Sequence, residues 1–123
     1  MENLLTGLIE VLQQELTVYQ GILGKAAQKK EALIKNDTNL LEHIVARETS
    51  AVKTMQELEQ RREGLIKTIA QRHGMDETKM TLADIAALYP EKSEALLALK
   101  SDLAGVVDEI QKQNEANKAL LET

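Results

Sequence analysis

Apolar residues recur every three or four positions along three long stretches of this 123-residue chain, and almost nothing interrupts them. Pro90 is the single proline, and the strong breaks are confined to Asn36-Asp37, residues 74–79 and Tyr89-Pro90. A spacing of three and four is typical of an amphipathic helix, whereas strands alternate every two residues. Phe and Trp are absent and Tyr occurs only twice, which also disfavours sheets. The pattern therefore predicts an all-α fold.

The breaks divide a single predicted domain, residues 1–123, into four helices. Their predicted bounds are 2–35, 38–73, 82–88 and 90–121. Asp37 is placed to cap the second helix, and Gly74 to end it in the left-handed conformation. Thr81 and Asp84 have the spacing of a capping box. Because each long helix would span about 50 Å, we expect an elongated antiparallel bundle of three long helices plus one short connecting helix.

The first two helices are expected to form a hairpin, because the Asn36-Asp37 turn between them is so short. Residues that face each other would then have numbers that sum to about 73. This sum places Glu48 near Lys25, and Arg62 near Glu10 or Glu15, as pairs that fix the register. The first helix also carries a second apolar row beside its main one, so we expect it to touch two neighbours.

Composition and charge exclude several classes of protein. The absence of Cys excludes a disulfide scaffold, a thiolate metal site and a cysteine nucleophile. A net charge of −5 argues against nucleic acid or anionic lipid as the main partner. No run of about 18 apolar residues occurs, and Met1-Glu2-Asn3 lacks the positive charge of a signal peptide. We therefore expect a cytoplasmic protein without stable membrane insertion.

The two histidines, His43 and His73, are the only side chains whose ordinary pKa lies near neutrality. Neither lies in a Glu-x-x-His or His-Glu-x-x-His motif, and neither is followed by the Lys-Gly pair of a histidine phosphotransfer domain. The chain also has no Gly-rich phosphate loop. We interpret both histidines as surface or helix-end residues, and we expect no enzyme activity, no cofactor and no metal site.

The last helix becomes polar towards its C-terminal end, where Asn114 and Asn117 lie between Ile110 and Leu120-Leu121. Residues 91–123 hold seven acidic and four basic side chains. One interpretation is a frayed helix end. The other is a mixed apolar and amide surface that the bundle leaves uncovered and that receives an amphipathic partner helix.

A series of elements follows in order along nearly the whole chain. They are a Leu-rich first helix with Tyr19 and Leu23, Glu31 to Leu33 before Leu41, Glu48, Leu58-Glu59-x-x-Arg62-x-x-Leu65, Thr81-Leu82, and Asn114-x-x-Asn117-x-x-Leu120-Leu121. This order resembles the FlgN family of flagellar type III export chaperones. Members of that family often continue beyond the last element, so we expect either a short member or a further C-terminal segment.

The resemblance implies a cytoplasmic protein that binds the helical termini of hook-associated proteins at the hook–filament junction. Binding would prevent their premature assembly and aid delivery to the flagellar export apparatus, with the first two helices as scaffold. By position, the implied partner-binding residues are Val106, Val107, Ile110, Asn114, Asn117, Leu120 and Leu121. The alternative is a coiled-coil scaffold or adaptor that self-associates, for example as a homodimer, because both functions need an apolar stripe left after the core is closed.

Overall fold

The computed structural model describes residues 2–122, with side chains to residue 120, and this range contains four α-helices and no strand. The helices are α1 (Glu2–Lys35), α2 (Thr38–Arg72), α3 (Leu82–Leu88) and α4 (Pro90–Glu122). The prediction of an all-α chain is confirmed. α2 ends one residue earlier, and α4 one residue later, than the sequence pattern indicates.

The helix ends follow the local chemistry of the sequence. The Asp37 side chain accepts a hydrogen bond of 3.1 Å from the Leu40 N–H at the start of α2. Thr81 and Asp84 form the reciprocal capping box of α3. Gly74 has a φ of +63°, the left-handed conformation expected after α2. These three predictions are therefore confirmed.

α1 is the central helix and packs against both α2 and α4. α2 returns antiparallel to α1, as the pair between Arg62 and Glu15 shows. α4 runs parallel to α1, because Asn117 bonds to Ala26 far along both helices while their first turns share one core. Within residues 2–122, no Cα atom of α2 lies within 8 Å of a Cα atom of α4. The two outer helices thus stand apart on either side of α1.

The main hydrophobic core lies at one end of the bundle, which we call the base. It joins the first turns of α1, the last turn of α2, the short α3 and the first half of α4. Its buried residues include Leu5, Leu8, Leu12, Ile69, Ala70, Met80, Ile85, Ala86, Leu96, Leu99 and Leu103. The opposite end, which we call the apex, holds residues 26–52 and 110–122. Fewer large apolar side chains are buried there, with Ile44 and Ile110 among them.

The hairpin register differs from the predicted one by about one helical turn. Arg62 pairs with Glu15 as expected, but Glu48 pairs with Lys29 rather than Lys25, so that both pairs of numbers sum to 77. The physical reason is that side chains on a helix lean towards its N-terminus. In an antiparallel pair they lean in opposite directions, so the residues that meet have a larger sum than the backbone turn suggests.

Candidate functional site

The residues that the sequence assigns to partner binding divide into two groups in α4. Val106, Ile110 and Asn117 are buried, and Val107 is half-buried. Asn114 and Leu120 are exposed. The side chain of Leu121 lies outside the described residues. α4 therefore uses one part of this set to pack on α1 and leaves the other part at the surface.

Asn117 anchors the C-terminal part of α4 to α1. Its side chain is only 3% exposed, and its Nδ2 donates a hydrogen bond of 3.0 Å to the carbonyl oxygen of Ala26. Its Oδ1 is buried and has no hydrogen-bond partner among the described residues. A half-satisfied buried amide is unusual, since buried polar atoms nearly always find a partner.

A groove opens at the apex where α2 and α4 stand apart above α1. Its volume is about 220 Å³. We call it the apex groove, and it is lined by Tyr19, Ile22, Ala26, Glu48, Val52, Ile110 and Asn114. The groove brings Ile110 and Asn114, two of the predicted residues, to the same surface. It also includes Glu48 and Val52 of α2, which sequence reasoning had assigned to the scaffold.

The α2 side of the apex groove was missed because it is defined by a gap between helices far apart in sequence. Glu48 lies 66 residues before Asn114, and the two helices make no close backbone approach that a pairing rule would predict. One local signal was available. Val45, Glu48 and Val52 follow a helical spacing of three and four beside the hairpin seam, and Val45 and Val52 are both exposed.

Glu48 is the charged residue of the apex groove. Its Oε2 lies 3.6 Å from Lys29 Nζ, so the two form an ion pair that is longer than an ordinary hydrogen bond. Its Oε1 is buried and finds no hydrogen-bond donor in the part of the chain that the structure describes. The groove therefore combines apolar walls with an unsatisfied carboxylate oxygen.

Tyr19 forms part of the floor of the apex groove. Burial, followed by the negative charges of Glu59 and Glu15, raises the pKa of its hydroxyl, against the opposing effect of Arg62. A raised pKa keeps the phenol neutral at physiological pH. The floor thus offers an aromatic ring rather than a charge.

Exposed apolar side chains are concentrated near the same end of the molecule. Ile34 is 64% exposed, the largest value among the large apolar residues described as exposed. Four more of them belong to the apex: Leu40, Val45, Val52 and Leu120. Of these five residues, Val52 lines the apex groove.

Two shallower grooves follow the opposite side of the α1–α2 hairpin. Their volumes are about 450 and 360 Å³, and they share Thr17, Val18 and Thr54. One ends at Glu10, and the other at Lys25 and Arg47. Val18 and Leu58 are the large apolar side chains that line them, whereas the apex groove has Tyr19, Ile22, Val52 and Ile110.

Neither histidine contributes to the apex groove. His43 is exposed on α2. His73 lies just after α2, where its Nε2 hydrogen-bonds to the Tyr89 hydroxyl and its ring meets the Tyr89 ring edge to face. Over residues 2–122, no three His, Asp or Glu side chains converge in a way that suits a metal ion. His73 therefore ties the end of α2 to the end of α3.

Within the described range, every helix falls short of the length and apolarity that crossing a bilayer requires. No curated protein and no solved structure matches the chain significantly. The sequence profile of the family described as FlgN protein matches residues 1–123, the whole chain. This match confirms the resemblance noted in the sequence. The chain belongs to the FlgN family, whose members are flagellar export chaperones rather than enzymes.

Proposed function

We propose that this chain binds the helical termini of hook-associated proteins in the cytoplasm before they are exported. FlgN chaperones bind flagellar hook-associated proteins, and this chain matches the family over its whole length. Such termini assemble through helical contacts, and a chaperone that covers them prevents early assembly without a nucleotide or a covalent step. Delivery to the flagellar type III export apparatus would follow from the same complex.

The observation that carries this proposal is the open apex groove. α2 and α4 leave an apolar channel above α1, bordered by Ile22, Val52 and Ile110. An amphipathic helix recognises a partner by laying its apolar side into a groove of this kind. The apex is also where the exposed large apolar side chains are concentrated. A cargo helix would complete a bundle that the chain itself leaves open.

Within the predicted site, the residues have different roles in this proposal. Asn114 lines the groove and is exposed, Val107 is half-buried, and Ile110 forms part of the wall. Val106 and Asn117 lie deeper and hold α4 on α1. The cargo would therefore contact the first three residues directly and depend on the other two for the position of α4. Leu120 and Leu121 would extend the contact towards the C-terminus.

The mixed lining of the apex groove suits a chaperone that must release its cargo. Stable obligate interfaces bury about 2,000 Å² or more and are strongly apolar. The lining of the apex groove instead mixes apolar side chains with Glu48 and Asn114. Binding would thus be specific but reversible. Association costs entropy, and only the interaction free energy that exceeds this cost appears as affinity.

Isothermal titration of the chain against terminal helical segments of hook-associated proteins tests the proposal, with flagellin termini as the control cargo. We expect saturable binding to the hook-associated segments alone. Asn114→Arg should weaken this binding about tenfold or more, because it places a long charged side chain in the groove. The matched control is Gln111→Arg, on an exposed position of the same helix outside the groove lining, and it should change the affinity less than twofold.

The alternative function, self-association as a coiled-coil scaffold, predicts a different result. A folded chain that gives no heat with either cargo, but whose mass rises with concentration, would favour the scaffold and a homodimer. A constant monomer mass together with cargo binding would favour the chaperone. Mass measurements at several concentrations, made on the protein used for titration, separate these outcomes.

A further inference from the structure

The α2 wall of the apex groove, like the α4 wall, carries an apolar side chain that a partner could contact. Val52 is 50% exposed in the middle of a 35-residue helix, and it lines the groove opposite Ile110 and Asn114. Half of the surface of this valine stays uncovered in the described chain, since α4 does not approach α2 closely. A helix seated between the two walls would bury Val52 and Ile110 together.

The same wall carries an unsatisfied hydrogen-bond acceptor. Glu48 Oε1 is buried to less than 1 Å² of accessible area and meets no donor within residues 2–122. Its ion-pair partner, Lys29, lies on the other oxygen at 3.6 Å. A buried acceptor without a donor is costly. The Glu48 side chain is 28% exposed and lines the groove, and rotation of its carboxylate exchanges the two oxygens, so a partner's donor can satisfy it.

A second orphan acceptor lies beside the groove. Asn117 Oδ1 is buried without a partner in the described structure, while the Nδ2 of the same amide is bonded to Ala26, which lines the groove. Both unsatisfied atoms are acceptors. These two acceptors therefore lack a hydrogen-bond donor. A cationic donor forms the strongest hydrogen bond with a carboxylate.

We infer that the cargo helix lies between α2 and α4, contacts Val52 as well as Ile110, and presents a lysine or arginine side chain to Glu48. This inference rests on the proposed function and adds the chemistry of its partner. The apex as a whole is balanced, with six acidic and six basic side chains in residues 26–52 and 110–122, so Glu48 supplies the local preference for a cation. The nearest cation of the chain, Lys29, is already directed to the other Glu48 oxygen.

The first experiment tests the α2 wall with a matched pair of substitutions. Val52→Asp and Leu97→Asp place the same charge at exposed apolar positions on long helices, with exposures of 50% and 43%. Leu97 lies in the base half of α4, outside the lining of the groove. We expect Val52→Asp to weaken binding of the hook-associated terminal segment at least tenfold, and Leu97→Asp less than twofold, with equal helicity by circular dichroism.

The outcomes separate the inference from the function on which it rests. Wild-type protein that binds the segment, together with Val52→Asp protein that binds equally well, overturns the role of α2 and leaves the chaperone function standing. Wild-type protein that binds neither cargo overturns the proposed function itself.

The second experiment tests the cation. Glu48→Gln removes the charge and keeps the shape, and Glu42→Gln is the matched control at an exposed position of α2. We expect Glu48→Gln to weaken binding about tenfold, as the loss of a charge-assisted hydrogen bond implies. One Lys→Met or Arg→Met substitution in the cargo segment should weaken binding to wild-type protein by the same factor and leave binding to Glu48→Gln protein unchanged. Equal affinities of the wild-type and Glu48→Gln proteins would overturn the proposed contact between Glu48 and a cation of the cargo.

Discussion

Glu15 is a fully buried carboxylate in the middle of the α1–α2 seam. Its Oε2 accepts a hydrogen bond of 2.7 Å from Arg62 Nη1, and its Oε1 is buried without a partner among the described residues. A buried ion pair is weak support for stability, because desolvation offsets most of the attraction. Removing one partner is a different matter, since the remaining charge is then buried alone. Any other register of the hairpin would separate Glu15 from Arg62, and the pair therefore makes those registers less stable.

This arrangement predicts that a single substitution will lower the free energy of unfolding more than a double substitution does. Arg62→Leu should lower the free energy of unfolding by about 3 kcal/mol, because it leaves the Glu15 carboxylate uncompensated. The double variant Glu15→Leu/Arg62→Leu should recover most of that loss. Urea unfolding followed by circular dichroism measures both. A double variant that is as unstable as Arg62→Leu would show that the pair itself supplies net stability.

The pH dependence of stability offers a second test of the same residue. Burial raises the pKa of the Glu15 carboxyl above its ordinary value; Arg62 opposes this effect and Glu59 adds to it. A carboxyl with a raised pKa binds its proton more readily in the folded state, so its contribution to stability improves as the pH falls towards the ordinary value of about 4.3. The free energy of unfolding of the wild type, minus that of Glu15→Gln, should therefore increase from about pH 7 to about pH 5. A difference that decreases on acidification would contradict this.

At the scale of elements, the short helix α3 depends on its cap. It has seven residues, too few to be stable alone, and it inserts Ile85 and Ala86 into the core at the base. Thr81→Ala removes the oxygen that accepts from the Asp84 N–H, and we expect a loss of about 1 kcal/mol in the free energy of unfolding.

The matched control for that prediction is Thr68→Ala within α2. The Thr68 hydroxyl donates to the carbonyl of Gly64 one turn earlier, a bond that does not cap the helix. Its loss should change the free energy of unfolding by less than about 0.5 kcal/mol. Equal effects of the two substitutions would mean that the capping box contributes nothing specific.

The elements were largely predictable because their signals are local. Asp37, Gly74 and the pair Thr81 and Asp84 each define a helix end within four residues, and the double apolar row of α1 indicated two neighbours. What could not be predicted depends on the relative placement of distant helices. The apex groove is a gap between helices. An apolar pattern indicates which residues are buried, but it does not indicate where a helix lacks a neighbour.

At the scale of the whole molecule, stability should be graded from base to apex. The main core cluster joins all four helices at the base, whereas fewer large apolar side chains are buried at the apex. Amide hydrogen exchange reports such differences in local opening. We expect the slowest exchange around residues 5–12, 66–70 and 96–103, and faster exchange around residues 30–50 and 110–120. Uniform protection along α4 would contradict this gradient.

The central position of α1 also has an evolutionary consequence. α1 packs against two helices, so a substitution on either of its apolar rows must fit against a neighbour within the same chain. The backbone of α2 lies close to that of α1 alone among the described helices, and α4 packs against α1 and, at the base, against α3. The sides of α2 and α4 that face the apex groove are free to vary with the partner. Among related sequences we therefore expect α1 to change most slowly, and the positions of Val52 and Asn114 to change together with the cargo.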